Sequence, residues 1–256
     1  MDHRPVAVIT GATSGIGQST AQLLAQNGYD IFIGGRRADR LENVRRACAA
    51  LGAKAGAQVH DVRDNAGSEQ FVEGALEMFG RIDVLVNNAG LARGLTHIAD
   101  QQDETPWQEM IDTNVMGLLR MTRLVIPHMI AKAGGHIVNI GSTAAHEAYA
   151  GGAVYAATKH AVRAITTALR LEVLGQPIRV TEIDPGMVET EFSRVRFSGD
   201  KARADSVYAG VTPLTADDIA DVILFALTRK PHVNIDMLVL RPRDQGSQGA
   251  VARRNV

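Results

Sequence analysis

In the stretch STAAHEAYAGGAVYAATKHA, residues 142–161, a serine precedes two tyrosines, and only Tyr155 has a lysine four places on, Lys159. That spacing puts phenol and amine on one face of a helix. A phenol with a reference pKa of about 10 is a poor acid–base group at neutral pH. A neighbouring ammonium lowers that value by favouring phenolate. Tyr155 can then give a proton to a carbonyl oxygen or take one from an alcohol, with the Ser142 hydroxyl holding the same oxygen. The matching hydride belongs to a nicotinamide. The same residues also suit plainer roles: Ser142 as a helix cap, Tyr155 and Lys159 as an amphipathic helix face. Tyr149 has no such lysine and is read as bordering the substrate pocket.

A second constellation stands at the start of the chain. TGATSGIG, residues 10–17, lies between a strand-like run and a helical pattern. Glycines there let a pyrophosphate approach the amides at a helix N-terminus. The candidate contacts are Gly11, Thr13, Ser14, Gly15, Ile16 and Gly17; the alternative is a turn that only reverses the chain. The next strand ends GGRR, with no acid at its tip to take ribose hydroxyls. Arg36 and Arg37 suit a 2′-phosphate instead, which favours NADP(H), although one of them also fits a solvated helix start.

Elements able to carry these groups alternate along the chain. Strand-like runs at 6–10, 31–35, 57–62, 83–89, 136–142, 178–186 and 234–242 are separated by helical patterns, one of them over 107–132. Such alternation means βαβ units, right-handed crossovers and one doubly wound α/β domain of Rossmann type, with a parallel sheet of about seven strands and helices on both faces. The catalytic domain is placed at 1–242, with a lid at 187–214 and a polar tail at 243–256, frayed or docked on another subunit. Pro127 should kink the long helix. The 27 basic and 28 acidic residues leave a formal net charge of −1, too little for a nucleic-acid or membrane-surface binder. The single cysteine, Cys48, reads as a small buried side chain. No His/Cys cluster has metal-ligand spacing, and no segment looks like a signal peptide or membrane span, so the expected location is cytoplasmic.

Taken in order, TGATSGIG, Asp61-Val62, NNAG at 87–90, Asn114, Ser142, YAATK at 155–159 and PGMVET at 185–190 resemble the short-chain dehydrogenase/reductase family across nearly the whole chain. The resemblance implies a catalytic group of Asn114, Ser142, Tyr155 and Lys159, with Lys159 also on the nicotinamide ribose and Asn114 holding a relay water. It implies that Asp61 and Val62 contact adenine, that Asn88, Ala89 and Gly90 line the cofactor cleft, and that Pro185, Gly186, Val188 and Thr190 lie on the nicotinamide side. It suggests a homotetramer. GRR at 35–37, MIDTN, YAGG, EFSRVRFSGD and HVNI resemble the NADP-dependent branch acting on 3-hydroxy acids and semialdehydes. Such anionic substrates call for a cation, and the candidates are Arg93, His97, His146, Arg194 and Arg196. A bulkier ketone substrate, or a dinucleotide-sensing protein without catalysis, are the competing expectations.

Overall fold

The β-branched runs form strands because their side chains can be buried on both faces of a sheet. In the computed structural model, which describes residues 4–254, seven strands make one parallel sheet. They are β1 (Val6–Ile9), β2 (Asp30–Gly35), β3 (Ala55–Val59), β4 (Val84–Asn87), β5 (Gly135–Ile140), β6 (Ile178–Pro185) and β7 (Met237–Leu240). Their order is β3-β2-β1-β4-β5-β6-β7. Strand boundaries shift from the sequence reading, most of all at two strands. The third strand starts at Ala55 and stops at Val59, which leaves His60, Asp61 and Val62 in the loop at the sheet edge, and the last strand is shorter than 234–242.

The helices are α1 (Gly15–Gln26), α2 (Ala38–Ala50), α3 (Asn65–Phe79), α4 (Thr105–Ile111), α5 (Leu118–Ala131), α6 (Ala153–Glu172), α7 (Phe192–Arg196), α8 (Lys201–Ser206) and α9 (Ala216–Leu227). Alternate strand residues divide the core in two. Ala7, Ile9, Ile31 and Ile33 pack with Leu24 of α1, Val44 of α2 and Ile219 and Ile223 of α9. Val8, Phe32, Leu85 and Ile137 pack with Phe71 of α3, Met121 and Val125 of α5 and Leu169 of α6. Each Val, Leu, Ile, Met or Phe among them contributes roughly 1.5–3 kcal/mol when fully buried. Cys48 is among the buried residues, and burial pushes its thiol up to about 11. Among the described residues no helix is long and apolar enough to cross a membrane.

One expected helix is divided. Residues 107–132 were to run continuously, but a π-helical turn, Asp112–Gly117, separates α4 from α5. Pro127 lies inside α5, which runs on to Ala131, so the change of helical type falls at the π turn and not at the proline. The turn brings Gly117 so close to Val62 that a Cβ there would stand 2.6 Å from Val62 Cγ2.

The chain crosses from edge strand β3 to β4 beside β1, and this reversal opens a crevice at the carboxyl ends of β1 and β4. The segment 187–214 leaves and returns at one place: Leu214 N donates to Met187 O at 2.9 Å and Glu189 N to Leu214 O at 2.8 Å. The described part of the tail does not fray; it packs on its own chain. Met187 N donates to Gln245 Oε1 at 2.9 Å, and Arg254 N to Gly210 O at 2.9 Å. Residues 1–3 and 255–256 of the expected segments lie outside the described residues.

Candidate active site

The crevice is a cavity of about 550 Å³ that runs from the glycine turn to the base of the 187–214 segment. Gly11, at φ +66°, carries the β1–α1 loop so close to the loop after β4 that a Cβ would stand 2.8 Å from Ala89 Cα. Asn88 Nδ2 donates to Thr10 O at 2.9 Å and to Gly11 O at 3.1 Å, and Thr10 Oγ1 accepts from Asn88 N and Ala89 N. A Cβ on Gly17 would collide with the Asn88 amide, so Gly17 serves packing and does not line the cavity. Gly11, Thr13, Ser14, Gly15, Ile16, Asn88, Ala89 and Gly90 do line it. Ser14 precedes α1 in extended conformation without a side-chain cap, so the first-turn amides have no capping partner. Those amides suit the pyrophosphate of a dinucleotide.

The two arginines after β2 part company. Arg37 gives Nε and Nη2 to Thr13 Oγ1, Nη2 to Ser14 Oγ at 2.8 Å and Nη1 to Glu191 at 2.7 Å. Arg40 meets the same Glu191 at 2.6 Å. The pair of guanidiniums holds the Glu191 carboxyl down at about 2. Arg36 is exposed on the cavity wall, with no hydrogen bond or ion pair among the described residues. Asp61 and Val62 line the same end; Asp61 is paired with Arg63 at 2.7 Å. His60, which the sequence reading passed over, also lines it, stacked on Phe71 at 4.4 Å and pushed down to about 4 by burial.

At the other end stand Ser142, Tyr155 and Lys159. All three are buried, with Leu91, Ala92, Met110 and Phe192 forming an apolar wall around the phenol. Ser142 follows β5, caps the short turn Thr143–Ala145 by accepting from Ala144 N at 3.1 Å, and faces the cavity with Tyr155. Lys159 Nζ donates to Ile140 O at 2.8 Å and stands 5.9 Å from the centroid of the Tyr155 ring. The expected depression of the phenol by this lysine is not the net effect. Burial raises Tyr155 above its ordinary value, while Arg196 and Ser142 pull it down and Asp184 pushes it up. Burial also lowers Lys159 to about 8, against the charges of Asp184 and Glu182. Asn114 sits in the π turn behind Gly90. Its Oδ1 accepts from Leu91 N at 2.8 Å, and its Nδ2 donates to Leu91 O at 2.8 Å and Thr158 Oγ1 at 3.0 Å. Its side chain is a brace between Leu91 and Thr158. Pro185, Gly186, Val188 and Thr190 line the adjoining wall.

The candidate substrate cations separate clearly. Arg196 stands over the Tyr155 ring at 5.0 Å and donates to Tyr149 Oη at 3.1 Å, and its Nε is buried without a partner among the described residues. Arg93 reaches the cavity wall, but its guanidinium is held by Glu109 at 2.6 Å and by Val195 O at 3.0 Å. Three expectations fail. Arg194 is exposed on α7, and His97 is exposed just before the short turn Ile98–Asp100; neither lines the cavity. His146 turns away from it to meet Asp184 at 2.5 Å. The tail supplies residues no pattern announced: Gln245 and Gln248 both line the cavity, and Gln248 Nε2 donates to Thr143 Oγ1 at 2.6 Å beside Ser142. Among the described residues no cluster of His, Cys, Asp and Glu suits a metal.

The chain has relatives among known proteins. Residues 5–201 match the family model described as short chain dehydrogenase. The chain belongs to the short-chain dehydrogenase family. An uncharacterised oxidoreductase of Mycobacterium tuberculosis is 52% identical over 245 residues, covering 96% of this chain and 94% of that one. The NADP-dependent 3-hydroxy acid dehydrogenase of Salmonella typhi is 42% identical over 253 residues, covering 98% and 100%. The closed form of a serine dehydrogenase complexed with NADP+ superposes with a TM-score of 0.90 at 40% identity, covering 98% of this chain and 100% of that one. As a short-chain dehydrogenase the chain is an oxidoreductase with a single Rossmann-type domain.

Proposed function

We propose that this short-chain dehydrogenase is an NADP(H)-dependent alcohol dehydrogenase of small 3-hydroxy acids, working in reverse as a reductase of the corresponding semialdehydes or 3-oxo acids. The observation that carries the substrate class is Arg196. A half-buried guanidinium beside the phenol, its Nε without a partner among the described residues, is an anchor for a carboxylate two or three bonds from the reacting carbon. The names of the Salmonella and serine dehydrogenase relatives point the same way.

The cofactor supplies hydride exchange at nicotinamide when bound. The α1 amides and the glycine turn would hold its pyrophosphate, Arg36 its 2′-phosphate, Asp61 and Val62 its adenine, Lys159 the nicotinamide ribose, and Val188 and Thr190 the carboxamide. Ser142 and Tyr155 hold the substrate oxygen. In reduction Tyr155 gives that oxygen its proton; in oxidation the phenolate removes one. Arg196 by its charge and Ser142 by its hydroxyl favour the phenolate, and the surrounding apolar wall excludes water, which strengthens each of these interactions. Asn114 fixes Leu91 and so the cleft wall facing the phenol.

The experiment is Arg196→Leu. The change lowers kcat/KM for a 3-hydroxy carboxylate by about 10–100-fold more than for the neutral alcohol of the same skeleton, which loses only the charge beside Tyr155. Equal losses for both would remove the carboxylate from the reading. A homotetramer belongs to the same proposal. Phe225 and Val239 lie exposed on α9 and edge strand β7, and Met116 and Leu119 on the π turn and α5, as self-association needs.

A further inference from the structure

Two carboxylates stand directly behind this site and have no part in the reaction as derived. Glu182 and Asp184 alternate along β6, share the face that packs against α6, and are fully buried. A Cβ on Gly141, the residue before Ser142, would collide with the Asp184 carboxylate and stand 2.7 Å from Glu182 Oε1. The directions of the hydrogen bonds are fixed by chemistry. Arg163 can only donate, so His146 Nδ1 accepts from it at 3.1 Å, and the ring proton lies on Nε2. His146 Nε2 then donates to Asp184 Oδ2 at 2.5 Å, while Ser142 N donates to Asp184 Oδ1 at 3.0 Å. Asp184 therefore accepts on both oxygens, as an ionised carboxylate does. Among the described residues no N–H or O–H reaches either oxygen of Glu182, and the carboxylate within its reach is that of Asp184. Two adjacent acceptors in a dry site satisfy each other only through a proton.

We propose that Glu182 and Asp184 hold one proton between them and form a positioning pair, in which the charge left on Asp184 fixes the Ser142 backbone and tunes Tyr155 and Lys159. The groups facing the pair are Lys159 and Arg163 of α6 and His146 of the loop after β5. Tyr155 feels Asp184 from one side and Arg196 of α7 from the other, with Tyr149 beyond. Burial first, then the charge of Asp184, pushes Glu182 up to about 8, while Lys159 and Arg163 pull it down. The effect on Ser142 and Tyr155 rests on the catalytic reading above; the shared proton does not.

The test therefore has two arms. In the first, melting temperature is followed from about pH 5 to pH 8 for the wild type and Glu182→Gln. A carboxyl whose folded pKa is raised stabilises fully below its unfolded value, and that stabilisation is lost as pH rises toward the folded one. The wild type should fall relative to Glu182→Gln across this window, because the amide keeps its donor at every pH. Parallel curves would overturn the shared proton. In the second arm, Asp184→Asn should lower kcat by about tenfold with NADPH affinity, read by cofactor fluorescence, unchanged. Its alkaline limb for reduction should move down by about one pH unit, since removing the negative charge eases loss of the Tyr155 proton. An unshifted limb would overturn the tuning. If that variant does not fold, Glu182→Ala should lose kcat and Glu182→Gln recover it; equal losses would overturn the positioning role. A failure of the catalytic reading itself would surface separately, as normal turnover in Tyr155→Phe.

Discussion

The two ends of the cleft treat charge in opposite ways. At the adenosine end Arg37, Arg40 and Glu191 have side chains 40%, 44% and 34% exposed. At the catalytic end Ser142, Tyr155 and Lys159 are 9%, 9% and 6% exposed, and Glu182 and Asp184 behind them are 0%. In the wet end water and salt screen each pair, so each contributes little to stability. In the dry end a single charge moves its neighbours, which is why Asp184 pushes up both Tyr155 and Lys159. The wet end can exchange one partner for another, an incoming phosphate for a carboxylate. The dry end can move only protons.

The sharpest way to break this contrast is Tyr155→Phe. Removing one buried hydroxyl should lower kcat by about 10²–10⁴-fold, with NADPH affinity by fluorescence titration within a few-fold, because the phenol sits among Ser142, Phe192 and Arg196 and not in the glycine turn. Turnover near the wild-type value would mean that the dry end does not carry the chemistry. Arg36→Ala should act next in size and only on binding. Losing one charge-assisted contact of about 1.5–3 kcal/mol weakens NADPH by roughly 10–100-fold and NADH by less than about threefold. Equal weakening of the two would take the 2′-phosphate away from Arg36.

The same contrast explains what could be read from the sequence. The parallel sheet of about seven strands and the glycine turn follow from local pattern: β-branched runs, helix periods and glycines at fixed offsets. Ser142, Tyr155 and Lys159 were legible for the same reason, two of them being one helical turn apart. Arg36 and Arg37 were legible as a pair, but their division of labour was not, because it depends on Glu191, distant in sequence and brought across the cleft by the 187–214 segment. His146 was assigned to the pocket on its nearness to Ser142. One residue's rotation at the end of a short turn sends it instead to Asp184. Gln245 and Gln248 lie in a polar tail with no periodicity, and only tertiary packing tells that they reach the cavity. The split of 107–132 by a π turn has no signal in hydrophobic period; it is held by Asn114 and Gly117 contacts with residues far along the chain.

Glu191 offers the finest test of the contrast. Its carboxylate occupies Nη1 of Arg37 and pulls the base of the 187–214 segment against the β2–α2 corner, while its neighbour Thr190 packs so near Gly15 that a Cβ there would lie 3.2 Å from Thr190 Cβ. A phosphate that uses Arg37 must compete with this carboxylate. Replacing Glu191 with Gln removes the competition and, in an exposed ion pair, should tighten NADPH by less than about fivefold, under about 1 kcal/mol. The gain should shrink as salt is raised from about 0.05 to 0.5 M, because screening weakens the Arg37–Glu191 pair that the substitution removes. A loss of affinity greater than tenfold would reverse the sign. Arg37, Arg40 and Glu191 would then close over the bound cofactor as a clasp, and the adenosine end would be as tightly committed as the catalytic one.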